Sequence, residues 1–192
     1  MQGVFESATE FLAKRQSVPA KVIGAPAPSR EDLTPILTSA FRVPDHGKLE
    51  PWRILVLERA ALDRMAAAVL AYIKGQGKDD EAATKAAALF ESAPLIVAVV
   101  ASPVISEKIP PLEQTFSAGN LCFGVLNAAL AAGWAATWQS GPVATDSAFL
   151  QGNLGLQAQE YVAGFVVIGT AHTTPPDRPR PDLARKVRWV DL

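Results

Sequence analysis

The sequence carries one cysteine, Cys122, and two histidines, His46 and His172, in 192 residues. One thiol cannot close an intramolecular disulfide. So few sulfur and imidazole ligands also leave no zinc-type cluster. A lone cysteine is the pattern of a chain that works in the reducing cytoplasm. Charge of one sign is equally scarce: 18 Lys and Arg against 19 Asp and Glu leave a net charge of −1. Nucleic-acid binding by phosphate neutralisation needs a basic surplus, so that class is excluded. No Gly-x-Gly-x-x-Gly follows a strand pattern, and no Gly-Lys-Ser/Thr or Gly-x-Ser-x-Gly is present. The common phosphate cradles and the serine-hydrolase elbow are therefore missing. Asp45-His46 is a poor proton relay, because sequence neighbours seldom face each other and no nucleophile accompanies them. Residues 121–138 lack charge, but they are alanine-rich and include Gly124, Asn127 and Gly133. They read as a buried helix running into a strand, not as a membrane span. The first six residues have neither a basic stretch nor an apolar run, so no secretory leader is expected. No repeat is visible.

What is present is an apolar chain, 49% hydrophobic, long enough for one domain with its own core. Val4, Phe5, Ala8, Phe11 and Leu12 predict a helix over 4–14. Ser29 and Asp32 form a capping box that opens a second helix, with Leu33, Ile36, Leu37, Ala40 and Phe41 inward and Pro44 as its stop. Residues 54–57 predict a strand, and 60–74 and 81–90 two surface helices joined by Gly75-Gln76-Gly77. Residues 95–101 read as a strand buried on both faces. A long central helix is expected over 115–132, capped by Gly133. Strands over 134–138 and 161–168 flank a short helix over 146–151. Helices and strands are mixed without strict alternation, which predicts an α+β fold. Residues 1–172 form the domain. Residues 173–192, with Pro175, Pro176, Pro179 and Pro181, form an extended arm ending in Val187, Trp189, Val190 and Leu192. Such an apolar end on an extended arm is expected to pack on another subunit.

Three clusters offer chemistry. Arg15-Gln16-Ser17, just past the first helix, combines a guanidinium fork with a hydroxyl, a pairing that can hold a phosphate. Arg42, His46 and Lys48 share a loop with Glu50-Pro51-Trp52. Trp138-Gln139-Ser140-Gly141 ends a strand in polar groups. His172 starts the arm, and Cys122 on its apolar helix reads as a small buried hydrophobe. In order along the chain, these segments resemble the signature of the nitroreductase family of flavoproteins. Residues 12–17 resemble its Arg-Arg-Ser. Residues 41–53, Phe-Arg-Val-Pro-Asp-His-Gly-Lys-Leu-Glu-Pro-Trp-Arg, resemble its Ala-Pro-Asp-His and Gln-Pro-Trp-Arg. Ser117-Ala118-Gly119 opens the central helix, and residues 138–141 resemble its Trp-Arg-Ser-Gly.

The resemblance implies a central, mostly antiparallel sheet flanked by helices, in an intertwined homodimer with FMN bound non-covalently at the interface. It implies Arg15, Gln16 and Ser17 at the phosphate and ribityl end, with Arg178 or Arg180 from the arm as further cations. It implies Arg42 and His46 on the flavin, Trp138, Gln139 and Ser140 on the other side of the site, and Ala128, Ala129, Leu130, Ala131, Ala132 and Gly133 against a nicotinamide. Gly119, Gly124 and the helix alanines would lie at the dimer seam. The activity implied is oxidoreduction, in which NADH or NADPH reduces FMN and the flavin reduces a nitroaromatic, a quinone or a similar flat acceptor. No catalytic side chain is named, because the cofactor carries the chemistry. The chain departs from the pattern at Gln16, Gln139 and Glu50, which removes two cations and adds an anion. Flavin binding without turnover, and another flavin chemistry on the same fold, fit the same residues. Gly75–Asp80 is the expected mobile cover.

Overall fold

The computed structural model describes residues 7–191. Helix α1 (Ala8–Lys14) starts at Ser7, whose hydroxyl accepts from Glu10 N–H at 3.1 Å. Val4, Phe5 and Leu192 lie outside the described residues. Helix α2 (Arg30–Ala40) opens with the reciprocal Ser29–Asp32 capping box. It ends four residues before Pro44, so that proline is not its stop. Phe41 caps it instead, half-exposed and 5.3 Å from the Trp52 ring.

The sheet is antiparallel at every pairing described. Its spine is β5 (Tyr161–Ala171), which pairs with β3 (Ile96–Ala101), with β4 (Ala135–Gln139) and, at its far end, with β1 (Ile23–Gly24), a two-residue strand the sequence reading missed. β2 (Trp52–Leu57) pairs with β3. Every residue of β3 is buried, as its unbroken apolar run predicts. Alternate β3 side chains enter different cores. Ala98 and Val100 join Leu62, Val69, Phe90 and Phe165 beneath α3 (Arg59–Gly75), α4 (Asp80–Ser92) and α6 (Ser147–Leu154). Val97 and Val99 join Leu33, Ile36, Leu121, Val125, Val166 and Ile168 beneath α2 and α5 (Pro111–Ala131). Thus α3 and α4 are not merely surface helices: each closes one core with an inner stripe.

Helix α5 begins four residues before the expected start. Pro110 caps it and Pro111 opens its first turn, where proline is suited because its missing N–H would have no partner. Ser117 is consequently mid-helix and buried. Gly133, with φ +87°, terminates the helix as expected. Gly124 does not mark a dimer seam. A Cβ there would lie 2.8 Å from Ala40 O, so this glycine permits the α2–α5 crossing inside one chain. The Gly75–Gly77 turn joins α3 to α4 beyond the sheet face opposite α5, and Lys74 pairs with Asp80 there at 2.7 Å. Residues 75–80, the expected cover, line neither cavity described below within the chain. The arm is extended through its prolines but forms one helical turn, α7 (Leu183–Lys186), once Asp182 can cap it. No helix among the described residues is long and apolar enough to cross a membrane.

Candidate functional site

The first half of the site forms where α1 ends. Arg15 leaves the helix in an extended conformation, its N–H still donating to Phe11 O at 2.7 Å. Three residues on, Val18 N–H donates to Ala136 O at 3.0 Å and fastens the segment to the edge of β4. The arm then returns from 159 residues away. Gln16 Nε2 donates to Pro175 O at 3.2 Å, and Arg180 donates to Ala13 O. Arg15, Gln16 and Ser17 thereby line one groove of about 800 Å3 with the Pro175–Pro181 stretch, including Arg178 and Arg180.

The electrostatics of this groove are incomplete. Arg15 Nε is buried without a hydrogen-bond partner, and the guanidinium lies 5.7 Å over the Phe123 ring. Burial, and then the nearby charge of Arg180, lower the pKa of Arg15 from its ordinary value. A desolvated donor beside a second cation is costly unless an anion satisfies both. Arg180 is already engaged by Asp177 Oδ1 at 3.1 Å and Arg178 O at 2.6 Å, which fixes its position in the groove.

The second half is an apolar slot of about 770 Å3 between the N-terminal half of α5 and the adjoining ends of β4 and β5. Its aromatic walls are Phe116, Phe123 and Trp138, exposed by 59%, 42% and 40%. Its polar groups include Ser140, Asn120 and the Thr115 and Tyr161 hydroxyls, which are 2.8 Å apart. Phe123 belongs to both halves: it walls the slot and underlies Arg15.

Of the residues named from sequence, Arg15, Gln16, Ser17, Arg178 and Arg180 meet in the groove, and Trp138 and Ser140 in the slot. Gln139, one residue out of phase with Trp138 on β4, does not line the slot. Arg42 and His46 line neither part within the chain. His46 Nδ1 is 2.7 Å from Glu113 Oε2, with both side chains substantially exposed. Asp45 does not engage His46: its carboxylate accepts from Leu49 and Glu50 N–H. Glu50 stands in a left-handed turn, φ +48°, outside both cavities. The segment Ala128–Gly133 is not brought to the site either. Ala129 and Leu130 are buried in the α5 core, and the hollow beside Ala128, Ala131 and Ala132 contains Glu31 and Asp32, whose charge opposes a nucleotide phosphate.

Phe116, Asn120, Phe123 and Tyr161 were missed. A usable signal existed: Phe116 and Phe123 are seven apart on α5, on the stripe opposite Leu121 and Val125. Trp52 is a framework residue, its Nε1 donating to Ser117 Oγ at 2.9 Å while Ser117 donates to Pro44 O at 2.8 Å. Burial pushes the Cys122 thiol up to about 12, so it is not a reactive group.

A comparison with known families gives a match to the nitroreductase family over residues 12–170. The chain is 36% identical over 163 residues to YdjA of Escherichia coli strain K12, a protein carrying an NAD(P)H nitroreductase name, covering 85% of this chain and 87% of that one. Among solved structures it is similar to a nitroreductase-like protein from Bacillus cereus, with TM-score 0.80, 20% identity and 99% of both chains covered. It is also similar to a nitroreductase with bound FMN from Desulfitobacterium hafniense, with TM-score 0.71, 22% identity and coverage of 95% and 97%. With matched positions running from the second half of α1 to the end of β5, the chain belongs to the nitroreductase family of oxidoreductases.

Proposed function

We propose that this chain is an FMN-dependent oxidoreductase that takes electrons from NADH or NADPH. The observation that carries the reading is the unpartnered, buried Nε of Arg15, beside Arg180 and against the aromatic slot. FMN joins a phosphate of about −1.5 to −2 charges to a flat tricyclic ring through a polar ribityl chain. A groove holding an unpartnered arginine donor and adjoining an aromatic slot fits those parts in that order. Arg15, Ser17, Arg178 and Arg180 would hold the phosphate end, with Gln16 holding the arm closed over it. Trp138, Phe116 and Phe123 would enclose the ring and exclude water, with Ser140 at its edge. The chemistry FMN supplies when bound is two-electron transfer from the reduced nicotinamide to a nitroaromatic, quinone or other flat conjugated acceptor. The side chains position and desolvate; none is assigned a proton transfer.

The reading includes a homodimer. Leu183, Val187, Trp189 and Val190 are exposed by 73%, 45%, 86% and 73% at the end of the arm. Burying such a cluster on a second copy is favourable at roughly 25 cal/mol per Å2. Arg42 and His46, outside both cavities of their own chain, would serve a partner's flavin. Deleting residues 183–192 should weaken dimerisation and release FMN together. A truncated protein that sediments as a dimer with full FMN refutes that role. The single cysteine, buried and with a raised pKa, suits a cytoplasmic enzyme.

The main test is direct: the purified protein should be yellow, and NADH or NADPH should bleach it without oxygen. A colourless protein that takes up no added FMN overturns the reading. A yellow protein that neither nucleotide bleaches supports binding without turnover.

A further inference from the structure

Glycine is poorly suited to the interior of a strand, because it loses more conformational entropy than other residues and packs nothing. Gly164 is nevertheless buried near the middle of the sheet, where β5 lies opposite Val99 of β3. Its φ is not in the left-handed region, so backbone geometry does not demand glycine. The occupant of its missing side chain's space does. A Cβ there would collide with Nε1 of Trp138 and come within 2.5 Å of Cδ1 and 2.9 Å of Cε2, three atoms of one indole. Trp138 is in register with Val166, two residues along β5, so its ring reaches diagonally across the strand to occupy this space. The constraint is one-sided: at Gly119 of α5, on the far edge of the ring, an added Cβ would make only an ordinary 3.9 Å contact with Cη2.

Simple core packing does not account for this arrangement. A tryptophan placed only to fill space would be enclosed, whereas Trp138 keeps 40% of its surface open to the slot it shares with Phe116 and Phe123. We propose that Gly164 is a positioning residue for the flavin slot: its absent side chain seats the Trp138 indole against β5, and the seated indole presents an aromatic surface to a planar conjugated ring. The proposal rests on the flavin reading given above. Any side chain at 164 pushes the indole off the strand and into the slot, narrowing the space left for the ring. The arrangement selects for planar ligands whatever their charge, since the phosphate contacts lie in the separate groove.

The experiment uses the full-length protein labelled with 5-fluorotryptophan, with the Trp138 resonance assigned from the spectrum of Trp138→Phe. Gly164→Ala should shift that resonance and leave those of Trp52, Trp134 and Trp189 in place. It should weaken FMN and riboflavin alike by roughly five- to tenfold, the scale of a lost aromatic contact, because the ring and not the phosphate is affected. In a Trp138→Ala background the same substitution should have no further effect on either ligand. Should Gly164→Ala alone fold poorly, recovery of a folded protein by Gly164→Ala combined with Trp138→Ala shows that the indole is what the methyl group meets. An unmoved Trp138 resonance overturns the positioning role, whether or not flavin binds. A shifted resonance with unchanged riboflavin and FMN affinity overturns the link to the slot. A parent protein that binds neither ligand overturns the flavin reading itself, and with it the slot's ligand, while the resonance shift still reports the seat.

Discussion

Arg53 and Arg15 both sit partly buried near an end of the sheet, and their surroundings are opposite. Arg53 grips Glu160 with two bonds, Nε to Oε1 at 2.8 Å and Nη2 to Oε2 at 2.7 Å. Ser102 Oγ and Gln157 N–H donate to the same carboxylate at 2.5 and 2.8 Å. The Arg53 guanidinium, helped by those donors, holds the Glu160 carboxyl down to about 2 although burial opposes it. Arg15 has a buried nitrogen with no partner and a second cation as its neighbour. The first arginine completes a network and the second lacks one. A satisfied, partly buried pair ties β2, the residue before β5 and the loop after β3 together. An unsatisfied cation marks where a ligand's charge is wanted.

The contrast is broken most strongly at Arg53. Arg53→Ala leaves Glu160 buried with its main partner gone and should cost about 3–5 kcal/mol in denaturant unfolding. Arg15→Ala, measured without flavin, should leave stability unchanged or slightly raised, because it removes a desolvated charge beside Arg180. Equal losses at the two sites would erase the distinction.

Acid sharpens the same comparison. Glu160 has a folded pKa below its ordinary value of 4.5, so its contribution is present above that value and is lost as pH falls through 4.5 towards 2. The shift corresponds to about 3 kcal/mol. Glu160→Gln should flatten the dependence of stability on pH in that window, and an unaltered acid transition would assign the effect to other carboxylates.

On the ligand side, Arg15→Ala should weaken FMN tenfold to a hundredfold, from about 1.5–3 kcal/mol for a charged hydrogen bond, while riboflavin binding stays as in the parent. A variant that retains FMN as tightly as the parent removes Arg15 from the phosphate site. A small effect on stability is also expected at His46, whose exposed contact with Glu113 contributes under about 1 kcal/mol. His46→Ala should keep the melting temperature and change flavin affinity or reduction potential. A lower melting temperature with unchanged flavin spectra would make it a framework residue.

Much of the architecture was legible because its signals are local. The Ser29–Asp32 box, Gly133 at the end of α5 and the apolar run of β3 each act within a few residues, and each appears in the structure in the expected role. The α5 start was misread because Pro110-Pro111 is compatible with both a break and a first turn. The two-residue β1 carries no periodicity at all, since only the end of β5 defines it. In the site, Arg15-Gln16-Ser17 and Trp138 were found through their motif. Gln139, its neighbour in the motif, does not line the slot that Trp138 enters, because strand alternation turns it to the other face.

Sequence by itself determined the residue types: an arginine fork past the first helix, an arginine-bearing proline arm, a tryptophan at a strand end, and caps that set where helices start and stop. It also set which face of each element is apolar, because periodicity is written in the chain. Only the tertiary structure decided that Arg15 and Arg180 share a groove across 165 positions, that Phe123 joins this groove to the slot, and that Gly164 makes room for Trp138. Those pairings come from sheet register and from how the helices pack on it. Register and packing are set by many weak contacts made at once, and no single stretch of sequence carries them.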